Sequence, residues 1–324
     1  MRTTLAAVAT MLAASCAGHH TATPPPPSGD ATTRYESCWA AFLAKRWQQF
    51  DACYTDGVVS TTFGFPPIAG KVKVIADHQA WITAFPDATF APQLTLVGPH
   101  DVLSVRWFRG THTGAMRFPG GDVPATNKAV SLMLLHRAHL DDSGRTTREE
   151  WAVDIGTLMF QLGLDKAPGR APLAAGWPGA PVVLVAHDTD GERANAARVR
   201  DMYGKWNAHD MAGFYAFISD DVRESFNNSP EDTVGKPAVK AENDATAAAF
   251  SDLHVVIDDV WAAGDYTIAR GHVLGTNDGK LGPTPPTHKK LDWSVLEIIR
   301  WQDGKAVASF PFVNGRDFQQ QLGL

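Results

Sequence analysis

The chain has 324 residues, 44% of them apolar, and a formal charge of −6. That is an ordinary globular composition at a length that suits two domains. Lys and Arg form no block, which argues against nucleic acid as a partner, because neutralising phosphate needs clustered cations.

Residues 1–15 carry one early cation, Arg2, then an apolar stretch and small side chains ahead of Cys16. This is the pattern of an export signal. The Ala-Ala-Ser-Cys ending resembles a bacterial lipoprotein cleavage box, which implies a cut before Cys16 and lipid on its thiol. Ala13 stands where Leu is usual, and plain secretion is the competing reading. The expectation is an exported protein of the cell envelope, on the periplasmic side or at the outer membrane. It would touch lipid through its anchor alone, since no later apolar run reaches the ~20 residues a span needs. Residues 16–33 are rich in Pro, Ser and Thr and read as a tether.

Two blocks follow, at 34–164 and 191–324, separated by a linker over 165–190 that is too rich in Pro and Gly for a helix. Within that linker, VVLVAH reads as one added strand. Each block opens on an amphipathic helix, with Tyr35, Cys38, Trp39, Phe42 and Leu43 at helical spacing in the first and Val199, Met202, Tyr203 and Trp206 in the second. Cys38 and Cys53 form an even pair in an exported chain and read first as a disulfide, with two buried thiols as the alternative.

Six markers recur in the same order. After the opening helix come FPDATF (85–90) and FSDLHV (250–255), then a GT-x-x-G segment at 110–114 and 275–279. PATNK (124–128) is matched by PPTHK (285–289), a turn at Gly144 by one at Gly304, and Gln-Leu-Gly at 161–163 by the same tripeptide at 321–323. This is an internal duplication. Helices first and hairpin strands afterwards imply an α+β fold with antiparallel pairing.

At these residues the chain resembles the SnoaL-like polyketide cyclases, or ester cyclases, of the nuclear transport factor two-like superfamily. The resemblance is carried by Gly110-Thr111-His112-Thr113-Gly114, by Pro124 to Lys128, and by Trp151-x-x-Asp154 with Gln161-Leu162-Gly163. It covers about 34–164 and, in eroded form, 195–324. It implies two tandem cone-shaped domains, each a curved antiparallel sheet whose N-terminal helices enclose a pocket. It also implies pairing through the sheets, either within the chain or with a second copy. The family's cyclases use no metal or cofactor; carried over, Asp154 is the general acid/base and His112 a polar helper. The ligand would be a small, largely apolar molecule with carbonyl or hydroxyl groups. Relatives that only bind ligands keep a second possibility open, a non-catalytic envelope scaffold that sequesters a ligand or docks a partner.

Alternation along REEWAVD puts Glu150, Ala152 and Asp154 on one face, so Asp154 can face a cavity whose apolar walls would raise its pKa. The same residue precedes a short helical stretch and is a favoured N-cap. In the second block its counterpart is Asn314, and that of His112 is Asn277. Both amides can hydrogen-bond and neither titrates, so the expectation is a structural or ligand-binding second half and a first half that carries any chemistry. Trp107, Phe108 and Trp151 are candidate pocket walls and Arg109 a candidate anion contact; plain core and solvated Arg are the competing readings. Arg106 is read in the same way. No zinc spacing, nucleophile elbow or dinucleotide fingerprint is present.

Overall fold

The computed structural model describes residues 30–118, 121–166, 169–177 and 179–324. Residues 1–29, and with them the expected signal, Cys16 and most of the tether, lie outside the described residues. No helix among those described is long and apolar enough to cross a membrane.

In the first half, α1 (Ala31–Leu43) and α2 (Trp47–Asp51) lead into β1 (Tyr54–Thr62), β2 (Ile68–Ala69), α3 (Lys71–Ala84), β3 (Thr89–Val97), β4 (Asp101–Thr111), the small hairpin β5 (Met116–Phe118) and β6 (Gly121–Val123), β7 (Ala129–Leu140), β8 (Thr146–Ala152) and α4 (Ile155–Gln161). The linker contributes β9 (Val182–Val185), which pairs parallel with β3. The second half repeats the plan: α5 (Asp190–Asn207), α6 (Met211–Tyr215), β10 (Ile218–Glu224), β11 (Thr233–Val234), α7 (Lys236–Ala249), β12 (His254–Ala263), β13 (Tyr266–Thr276), β14 (Lys290–Gln302), β15 (Lys305–Phe312) and α8 (Gly315–Leu322). The helices α3 and α7, absent from the sequence reading, complete each cone. The architecture is α+β, two tandem cone-like domains.

The sheets run β2-β1-β8-β7-β4-β3-β9 and β11-β10-β15-β14-β13-β12. Pairing is antiparallel within the meanders, but β1 lies parallel to β8 and β10 to β15, so wholly antiparallel pairing needs correction. An intervening helix makes this possible: α3 and α7 carry the chain away from the first strand of each half before the meander begins.

The duplication extends to side-chain detail. Asp87 accepts from the amide and hydroxyl of Thr111, and Asp252 does the same for Thr276. Gln161 clamps both backbone groups of Ser131, and Gln321 those of Asp292. Gly163 and Gly323 close these helices with φ of 68° and 74°, the left-handed region a side chain resists. Cys38 and Cys53 are bonded, tying α1 to the start of β1.

Strand alternation gives each sheet two apolar faces. The inner face of the first sheet packs beneath α1–α3 with Phe90, Phe108, Leu132 and Leu134. The outer faces meet each other: Leu94, Leu96, Leu103, Val105 and Leu135 pack with Ile268, Leu296, Ile298 and Phe312 in one shared core. Around it Arg137 Nη2 pairs with Asp259 at 2.5 Å, and Arg270 Nε with Glu150 at 3.3 Å. Burial opposes charge on Glu150, but His139, Arg137 and Arg270 overcome it and hold its pKa down at about 2.

Candidate functional site

The parity read from REEWAVD is correct, but the face carrying Asp154 is turned to the other half of the chain. Glu150 pairs with Arg270, and Ala152 belongs to the shared core. Asp154 follows the end of β8 and caps α4: Oδ2 accepts from Thr157 N at 2.6 Å, and Oδ1 accepts from Gly315 N at 2.7 Å, across the domain boundary. Its pKa is raised by burial, against the pull of these amides. Asn314 answers from the other side, capping α8 and donating to Phe63 O at 2.7 Å. Asp154 does not line the large cavity of the first half, nor Asn314 that of the second. Asp154→Ala is therefore expected to cost about 2–3 kcal/mol, a lost cap plus a stranded amide on Gly315, as measured by urea unfolding.

His112 is also displaced from the role that the resemblance implied. It is fully buried and braces the turn after β4: its Nδ1 accepts from Thr126 N at 3.3 Å, and its ring lies 5.2 Å from that of Phe85. Burial lowers its pKa. Asn277 does the same work, accepting from Thr287 N at 2.8 Å and donating to Ala249 O and Gly279 O. The exchange of His for Asn thus preserves a turn brace. His112 and Asp154 share no cavity.

The candidate walls separate as well. Phe108 is core, packed on Phe85 and Phe90. Trp107 faces the opposite side, donating to Ser131 Oγ at 2.8 Å, with exposed Arg109 stacked 4.2 Å from its ring. Trp151 reaches the central cluster, its ring 4.3 Å from that of His136. Arg106, expected to be solvated, is buried: it donates to Phe90 O at 3.1 Å, pairs with Glu36 and lies 4.0 Å from the Trp39 ring.

The first cone is full. Its centre is Glu149, which is fully buried on β8. Glu149 Oε1 lies 3.3 Å from His78 Nε2, and Oε2 accepts from His136 Nε2 at 3.1 Å and from Tyr54 OH at 3.0 Å. His78 Nδ1 is committed to donating to Val74 O at 2.7 Å, so its Nε2 carries a proton toward Glu149 only as imidazolium. Burial opposes that charge, but Glu149 overcomes it and raises the His78 pKa, while Glu149 itself is held well below the carboxylate range. His136 moves the other way, its pKa lowered chiefly by burial. Trp39, Phe42, Phe50, Phe90 and Trp151 fill the remaining space and leave voids of about 30 Å³. A trough of about 570 Å³ runs along the mouth between Phe65, Trp81 and Phe118, and none of the Glu149 cluster reaches it.

The second cone is hollow. A cavity of about 350 Å³ lies between its helices and the inner face of its sheet. The reason is legible position by position. Trp81 and Thr246 are each the eleventh residue of a 14-residue helix. Counting from the shared markers likewise pairs Phe90 with Val255, Phe108 with Val273, Arg106 with Gly271 and Trp151 with Pro311. At each pair the large side chain is in the first half, and the second-half residue lines the cavity.

Two carboxyls line it. Glu297, the counterpart of His136, points inward from β14 while its neighbours Leu296 and Ile298 enter the shared core. It accepts from Tyr203 OH at 2.5 Å and from Ser309 Oγ at 2.6 Å. Burial raises its pKa, and the two hydroxyls pull it back. Glu224, at the end of β10, has no such donor among the described residues. Burial first, then the nearby Glu297 and Glu242, push it up to about 8, so it is neutral at pH 7. The sequence reading does not single out these four as site residues, because the Asp154/Asn314 and His112/Asn277 exchanges mark where titratable groups disappear between the copies and not where they are gained. Comparing side-chain size at every paired position would have found the hollow. No cluster of three or more metal-holding side chains occurs among the described residues.

A family model described as SnoaL-like polyketide cyclase matches residues 29–162 and 197–322. Among curated proteins none matches. Similar solved structures include AclR from Streptomyces galilaeus (24% identity, 41% of this chain and 97% of that one, TM-score 0.37). Others are a SnoaL-like protein from Jannaschia sp. CCS1 (20%, 42% and 96%, TM-score 0.40) and IdmH from Streptomyces antibioticus (19%, 40% and 99%, TM-score 0.36). With the family matched over both halves and each half folded as a cone, the chain belongs to the SnoaL-like polyketide cyclase family as a tandem of two copies.

Proposed function

We propose that this chain binds a small, largely apolar molecule with carbonyl or hydroxyl groups in the cavity of its second domain, and that Glu297 moves a proton on it. The first domain is the scaffold. The observation that carries this reading is a hollow of about 350 Å³ whose apolar walls enclose a carboxyl positioned by two hydroxyl donors. Such a carboxylate, with its pKa raised by burial, suits abstraction of a proton from carbon beside a carbonyl. Glu297 takes that proton and returns it at a second carbon, so the net change is an isomerisation and the carboxylate is regenerated. Tyr203 and Ser309 steady the carboxylate before the proton is taken and after it is returned. This shifts the proposed chemistry from Asp154 and His112 to the half without them.

We also propose export, with cleavage before Cys16 and a lipid-held, envelope-side domain pair. The Cys38–Cys53 bond supports an oxidising compartment.

The test is capture from an envelope extract by the mature protein, with mass spectrometry of what is retained. Glu297→Gln should hold the same molecule and lower its conversion about a hundredfold. Equal conversion by the variant removes the proton-transfer role and leaves a binding protein. An empty wild-type cavity removes the reading altogether.

A further inference from the structure

The lining of the second cavity contains two Glu and no Lys, Arg or His. That is an unusual inventory for a buried site, because acidic groups taken out of water are normally met by a cation. The first domain obeys the rule: Glu149 has His78 and His136 beside it, and Arg106 is buried nearby. In the second domain the corresponding positions lose those groups. Asn243 stands for His78, Gly271 for Arg106, and Glu297 itself for His136.

Around Glu224, too, no counter-ion stands among the described residues. The titratable groups that bear on Glu224 are Glu297 from β14, Glu242 from α7, Tyr203 from α5 and Tyr215 from α6. Arg223 beside it is paired with Asp232, and Lys240 on α7 with Asp244. Most of the remaining wall is aliphatic, but Trp206, Phe214, Phe250, Trp293 and Phe318 also line the hollow. Aromatic faces and carboxylates together form the environment in which an organic cation exchanges its hydration for electrostatic contact.

We infer that the molecule taken up by the second domain carries a protonated amine or a quaternary ammonium group, with Glu224 as its charge partner and the aromatic residues of the wall as further contacts. This rests on the second domain being the ligand-binding half, and it adds the charge of the ligand to that reading. Glu297 keeps its role as the proton-moving carboxylate, while Glu224 enters the complex ionised. In the empty cavity Glu224 holds a proton up to about pH 8. A cation that stabilises its ionised form must displace that proton to solvent, so binding below pH 8 releases a proton and tightens as pH rises.

The experiment uses the mature protein and two probes of one shape, phenyltrimethylammonium and its neutral isostere tert-butylbenzene, followed by fluorescence of Trp206 and Trp293 and by calorimetry. At pH 8 the cation should bind at least about tenfold more tightly than the neutral probe. Calorimetry at pH 7 in buffers of different ionisation enthalpy should show proton release. Glu224→Gln should bring the two probes to near parity and abolish that release, with an unchanged melting temperature as the check on folding. Equal binding of both probes by the unaltered protein overturns the charge assignment and leaves the ligand cavity standing. Binding of neither overturns both, because it removes the cavity as a site for molecules of this size. The preference between probes is read on the unaltered protein, so it does not depend on how the variant folds.

Discussion

Thr246→Trp combined with Val255→Phe should abolish ligand binding by the second domain and leave the protein folded. These substitutions write the first domain's side chains, Trp81 and Phe90, into the paired positions of the second. Thr246 and Val255 both line the 350 Å³ cavity, and the larger residues enter space that is already empty. Overpacking a filled core typically costs about 1–3 kcal/mol; here the loss should fall at or below the lower end. A small ligand, by contrast, loses the volume it occupies, and its affinity should fall by at least about a hundredfold, roughly 3 kcal/mol. Titration of bound ligand beside a melting curve separates the two effects. Undiminished binding in this variant would place the ligand elsewhere, with the mouth trough of the first domain as the remaining candidate.

A second large effect is expected at Glu149, and it concerns stability. Glu149→Ala removes the anion that holds His78 charged against burial, and strips His136 and Tyr54 of their acceptor. Removing one partner of a buried charge pair costs about 3–5 kcal/mol, because the survivor stays desolvated and unmatched. Urea unfolding followed by tryptophan fluorescence reads this through Trp39 and Trp151, which pack against His136. The pH dependence has a defined window. Glu149 is depressed below its ordinary 4.5, so its contribution is complete above 4.5 and fades as pH falls through the lowered value. His78 is raised above its ordinary 6.5, so its contribution is complete below 6.5 and fades as pH rises through the raised value. The difference in stability between the unaltered protein and Glu149→Ala should therefore be greatest between pH 4.5 and 6.5. A difference that stayed level as pH rose past the window would mean that Glu149 does not hold a charge on His78 in the folded protein.

Both predictions describe one division of labour. Duplication gave two cones with a common frame, and each half spent the interior differently. The first filled it with Trp and Phe around a neutralised carboxylate, which stabilises a scaffold. The second has the same frame, smaller side chains at the paired positions, and two carboxyls with no Lys, Arg or His beside them in the cavity lining. An environment of that kind is costly to stability and is characteristic of sites that bind or react.

The amino-acid sequence by itself determined the duplication, the α+β class and the linker strand. Those depend on local signals that one chain displays in order: helical spacing at Tyr35, Trp39 and Phe42, turn glycines at Gly144 and Gly304, and the repeated Gln-Leu-Gly. It also offered the cap at Asp154, since a capping carboxylate needs only the helix that follows it. Only the tertiary structure decided what each strand face meets. Alternation told that Glu150, Ala152 and Asp154 share a side; it held no information on whether that side borders a hollow or another sheet, because both environments are apolar. The same ambiguity hid Glu297, whose inward direction depends on Leu296 and Ile298 being claimed by the sheet-to-sheet core. Whether a cone is open or full is a sum over side chains brought together, in the second half, from nine elements, and no window of sequence contains that sum.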